Sequence, residues 1–557
     1  MSAKACAPAG PGKSWETIAW KTAQARTKKL QMRIAKAQTE GRRGKVQALQ
    51  RLLVHSWMAK VLAVKRVTEN RGKRTPGVDR ELWISSKEKY EAIKRIKRRG
   101  YHAQPLRRTY IPKANGKKRP LGIPTMIDRT MQTLYKMALE PIAETTGDPN
   151  SYGFRIGRCT QDAAEQCFKA LYANPYCAQW VLEGDIEGCF DNISHKWIME
   201  HIPMDKKILR EFLKSGYVEK KKLFPTRAGT PQGGGISPTI SNMVLDGLEG
   251  QLRMRFRRRN ENGKVYNPKI HFVRYADDFV ITGENRELLD TQVRAVVEAF
   301  LAERGLKLSE EKTVVTHVSE GFDFLGFNVR KYKKKLLIKP AKANVKRFMN
   351  KIRDKIKRSK AASQEQLIHE LNPMIRGWTT YHSHNVSKAT FSRVDYEIFK
   401  SLWQWACRRH PKKGKWWIAN RYFHREGNRN WVFGVPSPKT AEQSKPWIAR
   451  LNYAAQCPIY RFTKIRSTAN PFDEADAVYF EERETQKMLC SLKGREALTK
   501  IYRSQKGICP VCGTKITADT NFKTHQTQGC NRTTRCMVHP DCHAYLHSLI
   551  SVSVPAS

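Results

Sequence analysis

Apolar residues recur at helical spacing through residues 14–68, give way to short strand-length runs, and return to helical spacing after residue 340. Ile18, Thr22, Ala25, Leu30, Ile34 and Ala37 mark one largely apolar stripe, broken by Lys and Arg; Leu49, Leu52, Leu53, Trp57, Val61 and Val64 mark a second. The run Asn70 to Pro76, with Gly77, separates them from a basic helix expected over 88–100 and ending at Gly100. Arg108 to Pro124 reads as a hairpin, because Ala114-Asn115-Gly116 carries the Asn-Gly turn signal. An apolar strand leads through Val181 into Asp185, and two more, Phe272-Val273 and Phe279-Val280-Ile281, flank the turn Tyr275-Ala-Asp-Asp278. Further on, Lys339 to Lys360 reads as a very basic helix pair, and 376–382 and 402–410 as aromatic-rich helices. Residues 434–475, with Pro436, Pro438, Pro446, Pro458 and Pro471, read as irregular. No repeat of fixed period is evident.

This pattern puts chemistry at strand ends. Asp277 and Asp278 lie side by side at a hairpin tip, a rigid place to hold two anions. Anions that close need a cation between them, and Mg²⁺ takes oxygen ligands from one or two carboxylates plus substrate phosphates. Asp185, on its own strand about ninety residues earlier, supplies the third carboxylate of a two-metal nucleotidyl-transfer site. Asp191, with Asn192 and Ser194 nearby, has two readings: part of that segment's acidic equipment, or a cap on the next helix. The hairpin at 108–124 carries Lys113, Lys117, Lys118 and Arg119, and is either a solvated basic hairpin or a flap that grips a triphosphate. Ala228 to Pro238 holds three consecutive glycines, which let backbone approach a ligand closely. It lacks the Lys and spacing of a Walker loop, so a nucleotide or base-pair contact by Gln232 fits better.

Composition narrows the partners. The 557 residues are too many for one core. Lys and Arg number 103 against 51 Asp and Glu, a formal net charge of +52, and a compact protein with that surplus repels itself unless a polyanion is near. Nucleic acid is the obvious polyanion. The basic residues are spread along the chain rather than clustered beside an apolar span, and no apolar run approaches membrane length, so no membrane association is expected. The N-terminal residues lack the apolar region of a signal peptide, which points to the cytoplasm. Eight of the 13 cysteines are scattered singly; Cys509, Cys512, Cys530, Cys536 and Cys542 crowd into the tail. That distribution fits a reducing compartment with one local metal site. Cys509-Pro-Val-Cys512, with His539 and Cys542, would make a tetrahedral Cys₃His zinc site, for which Cys530 and Cys536 compete as ligands. Tryptophans among the basic residues after 400 (Trp403, Trp405, Trp416, Trp417, Trp431) either pack in a core or stack on bases.

Read together, these segments resemble a reverse transcriptase, and specifically a bacterial group II intron-encoded protein. Lys113 to Pro124, Tyr152-Gly-Phe-Arg-Ile-Gly-Arg158, Asp185-Ile-Glu-Gly-Cys-Phe-Asp191, Thr230-Pro-Gln-Gly-Gly, Tyr275-Ala-Asp-Asp278, Gly305 to Thr313 and Gly321 to Phe327 are similar to the family's finger and palm blocks. Arg376-Gly-Trp-Thr-Thr-Tyr-His382 resembles its thumb, or maturase domain X. The resemblance implies a multidomain α+β chain: a right-hand polymerase with a mixed α/β palm, a helical N-terminal extension (1–80), fingers and palm (81–340) and a helical thumb (341–433). A DNA-binding region or linker (434–500) and a small zinc-binding domain (501–557) would follow.

It also implies an RNA-directed DNA polymerase and maturase that binds intron RNA and copies it into target DNA. Asp185, Asp277 and Asp278 would hold two Mg²⁺ ions, and Lys113 and Arg119 would contact the dNTP phosphates. Phe190 would set a ring under the sugar that excludes a ribose 2′-hydroxyl, and Gln232 would touch nucleotide or template. The tail resembles an HNH endonuclease but departs from it: Phe522-Lys-Thr-His525-Gln526 has one His where the family has a pair, and Thr534 stands where the family has Asn. His525, His543 and His547 remain as possible metal ligands, so a zinc-stabilised DNA-binding remnant with impaired nuclease activity is expected. The alternatives are a splicing cofactor with a dispensable polymerase and a domesticated repair polymerase. The sequence sets no oligomeric state.

Overall fold

The computed structural model describes residues 14–552, apart from 71, 113–115, 117, 173–176, 262–263, 438–446, 493–494, 519, 521 and 529–532. Helices α1 (Trp20–Thr39), α2 (Arg43–His55) and α3 (Trp57–Glu69) are followed by α4 (Ser86–Arg95), β1 (Leu106–Pro112), β2 (Lys118–Ile123) and the long α5 (Met126–Thr146). α5 carries Pro141 in its interior, which removes the N–H that would have bonded the carbonyl of Met137. Gln31 fills that position, its Nε2 donating to Met137 O at 2.8 Å. Gln50 reaches the neighbouring Ala138 O and Pro203 O at 3.3 and 2.9 Å. The buried face of α1 is therefore Ala23, Thr27, Gln31 and Ile34, and the expected stripe is corrected, since Thr22 and Ala25 face solvent. The second expected stripe is broken by the extended backbone of Ser56 between α2 and α3, which leaves Leu52 and Trp57 exposed. A Ser85–Glu88 capping box starts α4, which stops at Arg95 rather than Gly100.

The middle of the chain builds two four-stranded sheets and the small β6-β7 hairpin. Its elements are α6 (Thr160–Leu171), β3 (Trp180–Asp185), α7 (Cys189–Asn192), α8 (His195–His201), α9 (Lys206–Lys214), β4 (Tyr217–Glu219) and β5 (Lys222–Phe224). Then come α10 (Ser237–Leu245), α11 (Leu248–Arg255), β6 (Arg259–Glu261), β7 (Lys264–Tyr266), β8 (Phe272–Tyr275), β9 (Asp278–Gly283), α12 (Arg294–Ala302) and β10 (Val314–His317). One sheet has the order β2-β1-β4-β5 and carries the basic hairpin. The other, β10-β3-β9-β8, is antiparallel throughout and places β3 and β9 at its centre. Its pairing is tight: a Cβ on Gly184 would come within 2.1 Å of the Phe279 ring that crosses it. One face shares a continuous apolar core with α1–α5, joining Ile34, Leu53 and Val61 to Leu139, Leu182 and Ile281.

A three-stranded sheet of β11 (Phe322–Phe324), β12 (Phe327–Tyr332) and β13 (Lys335–Pro340) covers the other face, through Val273, Val280, Phe324 and Phe327. It leads into α13 (Lys342–Arg358), α14 (Gln364–His382), α15 (Lys388–Arg409) and α16 (Lys415–Tyr422). The expected basic helix pair at 339–360 is thus one strand end and one helix, because Phe348, Met349, Ile352 and Ile356 form a single unbroken buried stripe. These helices share a core with β14 (Phe423–Glu426), β15 (Arg429–Pro436) and β16 (Trp447–Arg450), so part of the stretch expected to be irregular is a sheet. Trp405 is buried in that core, whereas Trp416 is 80% exposed and Trp431 50%. A last, separate core belongs to α17 (Ala477–Ser491), α18 (Glu496–Ser504), the hairpin β17 (Lys523–Gln528) and β18 (Thr533–Val538), and α19 (Pro540–Val552). Among the described residues no helix is long and apolar enough to cross a membrane.

Candidate active site and metal centres

The register of the palm sheet sets Asp185, the last residue of β3, directly opposite Asp278, the first of β9. Asp277 occupies the turn between β8 and β9, beside Ala276, whose φ of +59° is sustained by its neighbours. Arg274, almost completely buried, holds that turn from below: its guanidinium reaches Ala276 O at 3.4 Å and Asn242 Oδ1 at 3.2 Å and pairs with Asp246. Gly153 lies against the turn so closely that a Cβ there would stand 2.4 Å from the Ala276 nitrogen.

The acids feel one another. Protein packed around Asp278, then the Asp277 and Asp185 carboxylates, push its pKa up to about 7. Asp277 is also raised, by burial first and by Asp185, with Arg119 and Lys312 opposing. Lys312 Nζ donates to Asp185 Oδ2 at 2.7 Å, and the bond holds the lysine's pKa up. The three carboxylates do not all close to within 4.8 Å of one another, as two clusters in the tail do. An all-oxygen donor set whose members resist ionising together suits a hard divalent cation, so the residues fit Mg²⁺.

Around this mouth the fingers meet the glycine loop. Arg119 Nε on β2 donates to Gln232 Oε1 at 2.9 Å, and Gln232 Nε2 donates to Asp191 Oδ2 at 3.1 Å. The Gln232 carbonyl accepts from Gly122 N at 2.7 Å. Asp191 therefore does not cap α8; Ser194 does, accepting from Trp197 N. Gly229 must be glycine-like, with φ +81° and a Cβ that would stand 2.4 Å from Phe190 O. Phe190 is buried, edge-on to the exposed Phe154 at 6.4 Å between ring centroids. Lys113 lies outside the described residues, as do Cys530 and the Ala114-Asn115 turn. Lys312, Arg274 and Gly153 were not singled out from the sequence. Nothing in a linear motif says which of its lysines turns toward an acid 127 residues away.

The tail gathers two donor sets. Cys509, Cys512, His539 and Cys542 offer ligand atoms within 4.8 Å of one another, and His525, His543 and His547 form a second such group. The first is soft and tetrahedral in number, which fits Zn²⁺. Hydrogen bonds to the Cys509 and Cys512 sulfurs lift His539 to about 9. Cys536 pairs across the hairpin with His525 and belongs to neither set.

Comparison with known proteins gives concordant likenesses. Residues 111–329 match the reverse transcriptase (RNA-dependent DNA polymerase) family, 15–96 the N-terminal domain of reverse transcriptase, and 345–423 the group II intron maturase-specific domain. The chain is 32% identical to the group II intron-encoded protein LtrA of Lactococcus lactis subsp. cremoris, over 48% of this chain and 54% of that protein. It is 33% identical to protein YkfC of Escherichia coli K12, over 51% of this chain and 82% of YkfC. An uncharacterised 91 kDa protein in the cob intron of Schizosaccharomyces pombe is 25% identical over 55% and 47% of the two chains. The chain thus matches about half the length of LtrA.

Proposed function

Since this chain belongs to the family of group II intron-encoded reverse transcriptases and maturases, we propose that it copies intron RNA into DNA at the palm carboxylates and binds that RNA to assist its splicing. The observation that carries the polymerase reading is the pairing of Asp185 with Asp278 across β3 and β9, with Asp277 at the adjoining turn. When bound there, two Mg²⁺ ions supply activation of the primer 3′-hydroxyl and neutralisation of the triphosphate. Arg119, held at the mouth by Gln232, contacts the dNTP phosphates together with Lys113; Gln232 itself borders the nucleotide. Phe190 lies under the sugar, where a ring discriminates against a 2′-hydroxyl. Lys312 lends the triad a positive charge.

On this reading residues 1–80 are the N-terminal extension, 81–340 fingers and palm, 341–433 the thumb, 434–500 a DNA-binding region or linker and 501–557 the zinc-binding tail. A groove of about 510 Å³ between α13 and α15, lined by Arg353, Lys357, Lys360, Lys400, Arg408 and Arg409, supports phosphate-backbone binding by the thumb. It meets a second groove, of about 790 Å³, at Arg353 and Glu397. Zn²⁺ held by Cys509, Cys512, His539 and Cys542 stabilises a tail that binds target DNA. The triad His525, His543 and His547 keeps metal-ligand character but lacks an assured general base, so we read the tail as a poor nuclease. Efficient nicking of target DNA by the purified ribonucleoprotein overturns that part. The protein acts in the bacterial cytoplasm, at the nucleoid when it engages DNA.

The test is the double variant Asp277→Ala, Asp278→Ala. It should lose cDNA synthesis on an RNA template while binding intron RNA and supporting splicing nearly as well as wild type. Retained synthesis removes the palm assignment, and lost splicing removes the separation of the two roles.

A further inference from the structure

Residues 458–487, which follow the thumb, close back over the palm 300 residues upstream. The side chains of Ile465 and Ala469 are buried in the core that holds Tyr152, Val273 and Val280. Asp162, with no exposure to solvent, accepts from Ile465 N at 2.7 Å and from Arg483 Nη2 at 2.6 Å. Arg158 donates to Ser467 O at 3.3 Å and Ala469 O at 3.4 Å, and Lys487 Nζ to Gly157 O at 3.2 Å. A Cβ on Gly157 would stand 2.9 Å from the Phe480 ring, so the approach is close along the whole contact.

At its centre four side chains form a closed ring. Lys464 Nζ donates to Tyr152 Oη at 3.3 Å and to Ser467 Oγ at 2.8 Å, while Tyr152 Oη and Ser467 Oγ both donate to Asn150 Oδ1, at 3.1 and 3.3 Å. Two of these residues also hold the catalytic hairpin. Asn150 O accepts from Arg274 N at 3.0 Å, Tyr152 N donates to Arg274 O at 2.9 Å, and Gly153 follows, pressed on Ala276. From Lys464 to the turn that carries Asp277 the path is thus one side-chain ring and one short bridge between Ser151 and Arg274.

We infer that residues 458–487 are a clamp that positions the Tyr275-Ala-Asp-Asp278 turn for catalysis, with Lys464 and Ser467 as its positioning residues, rather than a linker to the tail. The clamp rests on the polymerase reading for its purpose. The polar ring around Lys464 and Ser467 is separate from the apolar packing of Ile465 and Ala469, so loosening the ring displaces the turn without opening the apolar core beneath. Misplacing reacting groups by a fraction of an ångström costs rate rather than binding.

The experiment compares the full-length wild type with the Lys464→Met, Ser467→Ala double variant, both loaded with Mg²⁺, in single-nucleotide addition on an RNA template with a DNA primer. Hydrogen exchange of residues 272–278 is measured alongside. The clamp requires kcat to fall about ten-fold, with KM for dNTP and Kd for primer–template within about two-fold, and faster exchange at 274–278. A Lys464→Arg variant keeps wild-type kcat. Tyr152→Phe loosens the same ring from the palm side and gives the same signature if the double variant melts early. Unchanged kcat and unchanged exchange in both variants overturn the clamp. A wild type that makes no DNA overturns the polymerase reading instead, and the exchange data then decide the clamp alone.

Discussion

Asp278 sits where its own charge is opposed by its neighbours. Surrounding protein and the Asp277 and Asp185 carboxylates raise its pKa to about 7 in the folded chain, against an ordinary value of 3.8. The folded state therefore binds this proton more tightly than the unfolded state, so the stability it confers is complete at pH below the ordinary value and is lost as pH rises through the folded one. Protein surrounds the carboxyl on most sides but the residue still reaches solvent at the turn, and after discounting for solvent screening the loss is about 1 kcal/mol. Asp278→Asn, which cannot ionise, escapes it. In chelator the variant should melt higher than wild type at about pH 7.5 and converge with it near about pH 4. Adding Mg²⁺ should raise the wild-type melting temperature and leave the variant almost unmoved. A wild type that is more stable than Asp278→Asn at neutral pH without metal contradicts the repulsion on which the site depends.

At the scale of elements, the tail stands apart. Its core of Met488, Leu492, Tyr502, Ile516, Met537 and Val538 is small, and the Cys509 and Cys542 side chains are buried inside it. A unit of that size rarely holds together without a staple, and the Cys509, Cys512, His539 and Cys542 cluster is the candidate for one. Chelating the metal should make residues beyond about 500 sensitive to protease while the α1–α5 core keeps its melting transition. A tail equally resistant with and without chelator removes the zinc assignment. The same contrast explains what was legible. β3, β8 and β9 were visible because apolar runs flank polar turns, a local signal, and the candidate acids Asp185, Asp277 and Asp278 stand at or beside their ends. The candidate metal ligands of the tail were visible because Cys-x-x-Cys is local too. The buried face of α1 was not, because Gln31 is inside only on account of Pro141, 110 residues later in the chain. Lys312 beside Asp185, Gln232 between Arg119 and Asp191, and the clamp were hidden for the same reason. Each is a polar contact between distant segments, and polar contacts leave no periodicity. Residues 458–487 space their apolar positions with neither a helical nor a strand period, yet Ile465 and Ala469 are buried.

For the whole molecule the governing quantity is charge. The 51 acids are partly committed to internal pairs, such as Glu144 with Arg155 and Asp246 with Arg274, both nearly solvent-free. Lys and Arg still outnumber the acids along the whole chain, and several of them line the groove where α13 and α15 run side by side. In that groove Arg353 pairs with Glu397 at 2.8 Å and Arg409 donates to the Lys360 and Ala362 carbonyls, which leaves Lys357, Lys360, Lys400 and Arg408 to meet an incoming polyanion. Binding there releases counterions, so affinity for RNA should fall steeply with salt, at roughly 0.7–0.9 in log K per log salt for each phosphate neutralised. The triple variant Lys357→Gln, Lys400→Gln, Arg408→Gln should therefore bind RNA more weakly at low salt and show a slope shallower by about two. Its melting temperature should hold, because exposed charges removed from a like-charged surface change stability by about 0.5 kcal/mol or less. Asp278→Asn, made in the palm, should leave the slope alone. If the triple variant keeps the wild-type slope, the thumb groove carries no nucleic acid, and the surplus charge must be spent on the palm and the N-terminal helices instead.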